Sequence, residues 1–501
     1  MRRMHLLLIP ALCAVLEPAA WARLEPSKIG NPEAAAPSKG PLADHEALAG
    51  VVGVSTSDHF AFKWGGSATP VQAQVAEALA TLEDAYRIQV EEFGFALPNG
   101  MTTWRMNVYL GDSGIINDGQ DLTFTTLPSD VVGFNLLDST GVPFIAVARD
   151  AWSREAEWVA QGRLRPGQLM TIIFAHEFHH TSQQRTNPYP RGFRELWWFE
   201  AMAMWAAEQQ ATGAVLVWED AAKVHAMPEL AIDDCDPDLW FSTGDLTEEQ
   251  MFLLYRENGV FVLPLLLSTD LDRQDLLVRW ATDDGGESKP LDRLAGLLAE
   301  EGNDMGTVMV PLWAELQAGI LASSETLPQV LATTQFPANI DHNPTASLVP
   351  GTGWQAPPEA LRPQRYGANM LRVDAPQADL VVNLASPGAG SARTPVRFGL
   401  AAVVCADQLP CQLTILSDGG GTLSNLPVAA KGANYVDLVV VALADRKITA
   451  ETFDYRVRVD AVAEAAMPEE TGGCGCTSTS GTWSLPMVLL PTLLRPRRRT
   501  M

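Results

Sequence analysis

The chain reads as an α+β protein, with a mixed helical and stranded segment over residues 51–345 and an antiparallel β-sandwich over residues 346–463. Three observations predict this. Between residues 70 and 92, Val71, Val75, Leu79, Leu82, Tyr86 and Val90 recur three or four apart, the period of a helix with one apolar face. Over residues 104–110, Met106, Val108 and Leu110 alternate with other side chains, the period of a strand. From about residue 350 the apolar runs shorten and are separated by Gly, Pro, Ser and Asp, the punctuation of an all-β module.

The remaining elements follow in order. Residues 142–148 are an apolar run of strand length. Residues 166–184 and 194–211 are helical stretches rich in aromatic and small side chains. An apolar run covers 252–267. The proline-rich stretch 336–363 is the expected linker, and strands are expected at 370–373, 380–384, 396–404, 435–441 and 455–459.

Of the 501 residues, 47% are hydrophobic and 19% charged, a globular balance that excludes wholesale disorder. With 35 Lys and Arg against 60 Asp and Glu, the net charge of −25 excludes a nucleic-acid binder, since no broad positive field gathers phosphate. No serine or cysteine nucleophile motif and no glycine-rich phosphate loop is present.

Both ends read as export signals. Residues 1–22 have the parts of a signal peptide: Arg2 and Arg3, an apolar run at 6–16, and Ala20, Trp21 and Ala22 as a cleavage site. Residues 23–50 read as a flexible leader. At the other end, a Gly/Ser/Cys linker over 464–480, with Cys474 and Cys476, leads into an anchor segment over 481–501. Its apolar run, broken by Pro486 and Pro491, is too short for a permanent span, which needs about 20 residues. A block of Arg495, Arg497, Arg498 and Arg499 closes the chain. This order resembles the myxobacterial C-terminal sorting tag. The resemblance implies transient membrane contact through the tag and a protein exported to the outer surface or the medium. Export also permits disulfides. Cys405 and Cys411, with five residues between them, are placed to close a small loop, which leaves Cys235 as a buried thiol.

One constellation carries chemistry. His176, Glu177 and His180 form H-E-x-x-H in a helical stretch. Side chains at i and i+4 leave one helix face at neighbouring turns, so both imidazoles converge on one metal ion. Glu177 then stands beside the first ligand, turned toward an open coordination position where it takes a proton from water. His179 competes for a position that His180 fills better and reads as a flanking residue. A catalytic zinc site keeps three protein ligands. The second helical stretch offers Glu195, Glu200 and Glu208. Glu200 is preferred, because Trp197, Trp198, Phe199, Met204 and Trp205 surround it and a buried carboxylate needs a partner. Ala201 and Ala203 permit close helix approach.

H-E-x-x-H followed by a glutamate twenty residues after the second histidine, inside W-F-E-A-x-A-x-W, resembles the gluzincin metallopeptidases. The span from about 55 to 460 also looks like the secreted zinc metalloproteases of myxobacteria that carry the same tail. The resemblance implies a zincin-like fold for residues 51–345, Zn2+ held by His176, His180 and Glu200, Glu177 as general base, and a protein or peptide substrate. One departure is Met204, where the thermolysin-type pattern has an aspartate that steadies a histidine; here that support must come from elsewhere. Tyr255 is the preferred oxyanion donor and Tyr189 the alternative, with packing as the plain reading of each. The strand at 105–110 or that at 143–148 is expected to offer an edge to an extended peptide. The carboxylates at Asp233, Asp234, Asp236 and Asp238 lack calcium-loop spacing and read as an acidic surface loop.

Three functions compete at this level: an exported zinc endopeptidase, a non-enzymatic surface or adhesion protein with a structural or silent zinc site, and a zinc aminopeptidase. The last lacks a G-x-M-E-N-like element to hold a free amino terminus.

Overall fold

A computed structural model describes residues 42–45, 51–66, 69–111, 132–138, 140–186, 196–233, 247–282, 289–337, 340, 343–385, 396–406, 410–417, 423–444 and 451–462. The expected signal peptide, the leader up to residue 41, the C-terminal tail, Tyr189, Glu195, Cys235, Asp234, Asp236 and Asp238 lie outside the described residues.

The first sheet is mixed. Strands β1 (Ala43–Asp44), β2 (Val51–Thr56) and β3 (Phe60–Gly65) precede helix α1 (Gln72–Tyr86), and β4 (Trp104–Leu110), β5 (Gly133–Leu137) and β6 (Pro143–Val147) follow it. The spatial order is β2-β3-β4-β6-β5, with β1 beside the start of β4. The β3–β4 and β4–β6 pairs are parallel, whereas β2 and β5 run antiparallel to their neighbours. The α1 face read from the sequence packs Val75, Leu79 and Leu82 into one cluster with Phe60, Phe62, Met106, Val108, Ile145 and Val147. The backbone N–H of Val71 donates to Gln74 Oε1 at 3.1 Å and fixes the helix start. The expected helix over 70–92 is not uniform. Its last turn, Arg87–Glu92, widens into a π-helix and turns Gln89 inward, 1% exposed.

Helices α2 (Ala151–Ala160), α3 (Gln168–Thr186), α4 (Leu196–Gln210) and α5 (Val215–Ala226) come next. Where one apolar run was expected over 252–267 there are two helices, α6 (Glu248–Gly259) and α7 (Val262–Ser268). The side chain of Thr247 caps the first by accepting from the Gln250 N–H at 3.1 Å. The stretch Glu248–Ser268 has the length and mean hydropathy (1.3) of a membrane span, but 83% of its apolar window is buried, which marks it as core. Helices α8 (Gln274–Thr282), α9 (Pro290–Glu300), α10 (Gly306–Ala318) and α11 (Thr326–Thr333) complete the set.

The chain then turns to strands β7 (Thr345–Ser347), β8 (Ala368–Asp374), β9 (Leu380–Ala385), β10 (Val396–Cys405), β11 (Gln412–Ser417), β12 (Leu423–Val428), β13 (Tyr435–Ala444) and β14 (Arg456–Ala461). They make a five-stranded sheet, β11-β10-β13-β8-β7, and a three-stranded sheet, β12-β9-β14. All pairs are antiparallel except β7–β8, which is parallel. The proline-rich stretch is therefore woven into the sheets: it carries β7, and Gln355 bridges Val457.

The five-stranded sheet is buried on both faces. Val436, Leu438 and Val440 of β13 share a cluster with Val382, Leu384, Val457 and Val459 of the smaller sheet. Val439, Val441 and Leu443 face the helices instead, in the same cluster as Val310 and Trp313 of α10. That is why β13 reads as an almost continuous apolar run. Gly399 allows the helix this close, since a Cβ there would lie 2.1 Å from Val310 Cγ2. The described residues, from 42 to 462, belong to one compact unit. A disulfide joins Cys405 to Cys411, as their spacing allowed, with the Cα atoms 4.7 Å apart.

Candidate metal centre

The centre is built on α3 and α4, and both are buried along almost their whole length. Helix α3 packs against β5, β6, α1, α2 and α4, so apolar Ile172, Ile173, Phe174 and Phe178 occupy several faces. The polar side chains among them, His176, Glu177, His179, His180, Thr181 and Gln183, are at most 3% exposed and must find partners inside the protein. Gly133 of β5 brings the strand onto α3. A Cβ there would stand 2.5 Å from Ile173 Cγ2 and 3.5 Å from Glu177 Cγ. Helix α4 buries Trp197, Trp198, Met202, Met204 and Trp205, and Ala201, Ala203, Ala206 and Ala207 keep its bulk small.

His176, His180 and Glu200 come together. The two Nε2 atoms are 3.0 Å apart, His176 Nε2 is 3.2 Å from Glu200 Oε2, and His180 Nε2 is 3.5 Å from Glu200 Oε1. A tetrahedral ion with ligand bonds of about 2.0–2.1 Å separates its donors by roughly 3.3 Å, so this triangle has the size that such an ion requires. The three side chains are buried and could hold a metal ion. The donor set fits: two imidazoles and one carboxylate are an N/O combination suited to Zn2+ and to several other divalent ions. Burial disfavours charge on Glu200, yet the imidazoles beside it, His180 above all, hold its carboxyl down at about 2. Burial and the neighbouring His180 keep His176 below the usual imidazole range. His180 is raised despite its burial, by Glu200 above all.

Glu177 is fully buried next to this group. Burial pushes its carboxyl up to about 8, against the opposing pull of His180 and of a hydrogen bond from Asn135. Asn135 Nδ2 on β5 donates to Glu177 Oε2 at 3.1 Å, and Gln184 Nε2 donates to Asn135 Oδ1. The strand thus grips the acid, and α3 grips the strand. His179 faces away from the triad. Its Nδ1 lies 3.2 Å from Gln89 Oε1, and its ring meets Phe95 and Trp205 edge-on.

Tyr255 is buried on α6, with Lys223 Nζ of α5 5.0 Å above its ring. Glu208 closes the end of α4 by accepting from the Gly213 N–H at 2.8 Å and Trp218 Nε1 at 3.0 Å. The expectation of a substrate-pairing edge at β4 or β6 is corrected. Among the described residues both strands are interior, and the edge beside α3 is β5. The sequence reading missed Asn135, Gln183 and Gln184. Gln183 alone carried a signal, its i+3 spacing from His180; Asn135 is 42 positions from Glu177 and carried none. No protein-family model matches the chain, and no curated protein is similar to it by sequence.

Proposed function

We propose that the protein is an exported zinc-dependent endopeptidase, with a zincin-like domain followed by a β-sandwich. One observation carries this reading. Glu200 reaches from α4 to complete a three-donor group with the two histidines of H-E-x-x-H, while Glu177 stands beside it, held by Asn135. A bound divalent cation would polarise a carbonyl and acidify a water molecule. His176, His180 and Glu200 would hold that cation. Glu177 would accept the proton of the attacking water at its carboxylate and hand it to the departing amine nitrogen. Both halves of that exchange run through the same carboxylate. Oriented by Asn135, the carboxylate needs little rearrangement between the two.

The test uses the full-length chain with a casein-type substrate. Cleavage is expected to stop on addition of a chelator and return with Zn2+. Glu177→Gln is expected to keep its metal and lose at least about 100-fold in rate. Undiminished cleavage under chelation defeats the metal mechanism.

The burial of the group favours a second reading. His176, Glu177, His180 and Glu200 are 0–4% exposed, and closed sites are the structural kind. On that reading the protein is a surface or adhesion protein with a silent or structural metal. Bound metal without turnover on a broad peptide library would favour it.

A further inference from the structure

We propose that Gln183 is the positioning residue of the metal centre, fixing the tautomer of His180. The proposal rests on the metal-site reading above.

Gln183 lies one turn beyond His180 on α3 and is 3% exposed. Its Oε1 is 2.8 Å from His180 Nδ1, and its Nε2 donates to the Phe199 carbonyl at 3.1 Å. A backbone carbonyl only accepts, so the amide must present its NH2 to Phe199 and its oxygen to the imidazole. The reversed amide would set oxygen against oxygen. With Oε1 facing it, Nδ1 must carry a proton, and a neutral His180 therefore bares the Nε2 lone pair toward His176 and Glu200.

The same contact joins the two helices at the residue that matters. Phe199 immediately precedes Glu200, so the Gln183–Phe199 bond fixes the amide's orientation from the helix that carries the third donor. Phe199 also stacks its ring on His180, with centroids 4.4 Å apart and planes 9° from parallel. His180 is thus held by both ends of one residue of α4, and Gln183 supplies one of the two links. By contrast, His176 Nδ1 is buried without a hydrogen-bond partner among the described residues. The orienting support that Met204 cannot give is concentrated on His180.

An amide orients an imidazole without adding charge. A carboxylate in its place makes the imidazole a stronger donor to a cation. This separates a positioning role from mere packing. The full-length protein, stripped of metal, is titrated with Zn2+ against a chromophoric chelator. Gln183→Met, which keeps length and helix preference but no hydrogen bonds, is expected to weaken Zn2+ affinity by about 10–100-fold. Gln183→Glu is expected to match the wild type or bind more tightly, although it gives up the bond to Phe199. Wild-type affinity in Gln183→Met, with any loss confined to thermal stability, overturns the proposal. Should Gln183→Met not fold, Gln183→Glu decides, and weakening beyond about 10-fold overturns it. A wild-type protein that takes up no divalent metal overturns the underlying reading and this proposal together. Binding that is indifferent to residue 183 overturns this proposal alone.

Discussion

At the scale of single residues, the centre is a set of buried charges that tolerate one another only as a group. Glu200 is held ionised by two imidazoles while Glu177, one position from His176, is held toward its neutral form by burial. Two carboxyls in one pocket thus have opposite proton affinities, the usual mark of divided roles. Glu200→Gln is expected to lower metal affinity by more than the roughly 10–100-fold of an outer partner, measured by chelator competition. Asn135 donates to the charged form of Glu177, so removing it raises the carboxyl's proton affinity further. Asn135→Ala is therefore expected to shift the acidic limb of the pH–rate profile to higher pH while leaving Zn2+ affinity within about threefold. An unmoved limb would show that Asn135 only packs. In sequence terms, H-E-x-x-H was legible because helix geometry fixes its convergence within five residues. Asn135 was not, because its partnership with Glu177 exists only once β5 lies on α3.

At the scale of elements, the arrangement depends on two close approaches that leave no room for a side chain. Gly133 lets β5 touch α3, and Gly259 lets α6 touch α5, where a Cβ would stand 2.0 Å from the Asp220 carbonyl oxygen. Gly133→Ala is expected to destabilise the protein by roughly 1–3 kcal/mol through overpacking, read as a lower midpoint in urea. Gly259→Ala is expected to cost more, because the obstacle is backbone and not a movable methyl. The turn between α4 and α5 is closed by Glu208, whose burial pushes it up to about 7 against an ordinary value of 4.5, despite bonds from Gly213 and Trp218. The folded state therefore keeps this proton to higher pH than the unfolded chain does. Stability from this group falls as pH rises from about 4.5 to about 7 and levels off above. Glu208→Gln is expected to flatten the pH dependence of Tm across that window, and an unchanged slope would assign it to other groups.

At the largest scale, the helices share one interior with the first sheet and with one face of the five-stranded sheet. Helix α10 lies on β10, β11 and β13, and Trp313 Nε1 donates to the Tyr366 carbonyl at 2.7 Å. Asp437 of β13, 0% exposed, accepts from Arg372 of β8 at 2.7 and 2.8 Å and from Gln317 of α10 at 2.6 Å. Asp437→Ala is expected to cost roughly 2–3 kcal/mol, below the value for a fully buried pair because the Arg372 side chain is 29% exposed. With the five-stranded sheet packed on the helices through one face and on the smaller sheet through the other, calorimetry on the full chain is expected to show a single transition for the helical and stranded parts. Two separated transitions would show that they unfold independently.

The sequence by itself determined the α+β class, the strands β4, β8, β9, β10, β13 and β14 to within a few residues, the helices α1, α3 and α4, and the two histidines with their neighbouring acid. Each of these is written in local periodicity or in a spacing that one helix turn enforces. Only the tertiary structure decided that Glu200, rather than another acid of α4, meets the histidines. It also decided that β5 lies beside α3, that residues 87–92 widen into a π-turn, and that Gln183 and Asn135 hold His180 and Glu177. Apart from the one-turn contact of Gln183 with His180, those contacts join positions 16 to 90 residues apart. No local period encodes them, because they arise when buried polar groups must find partners in the space that packing leaves.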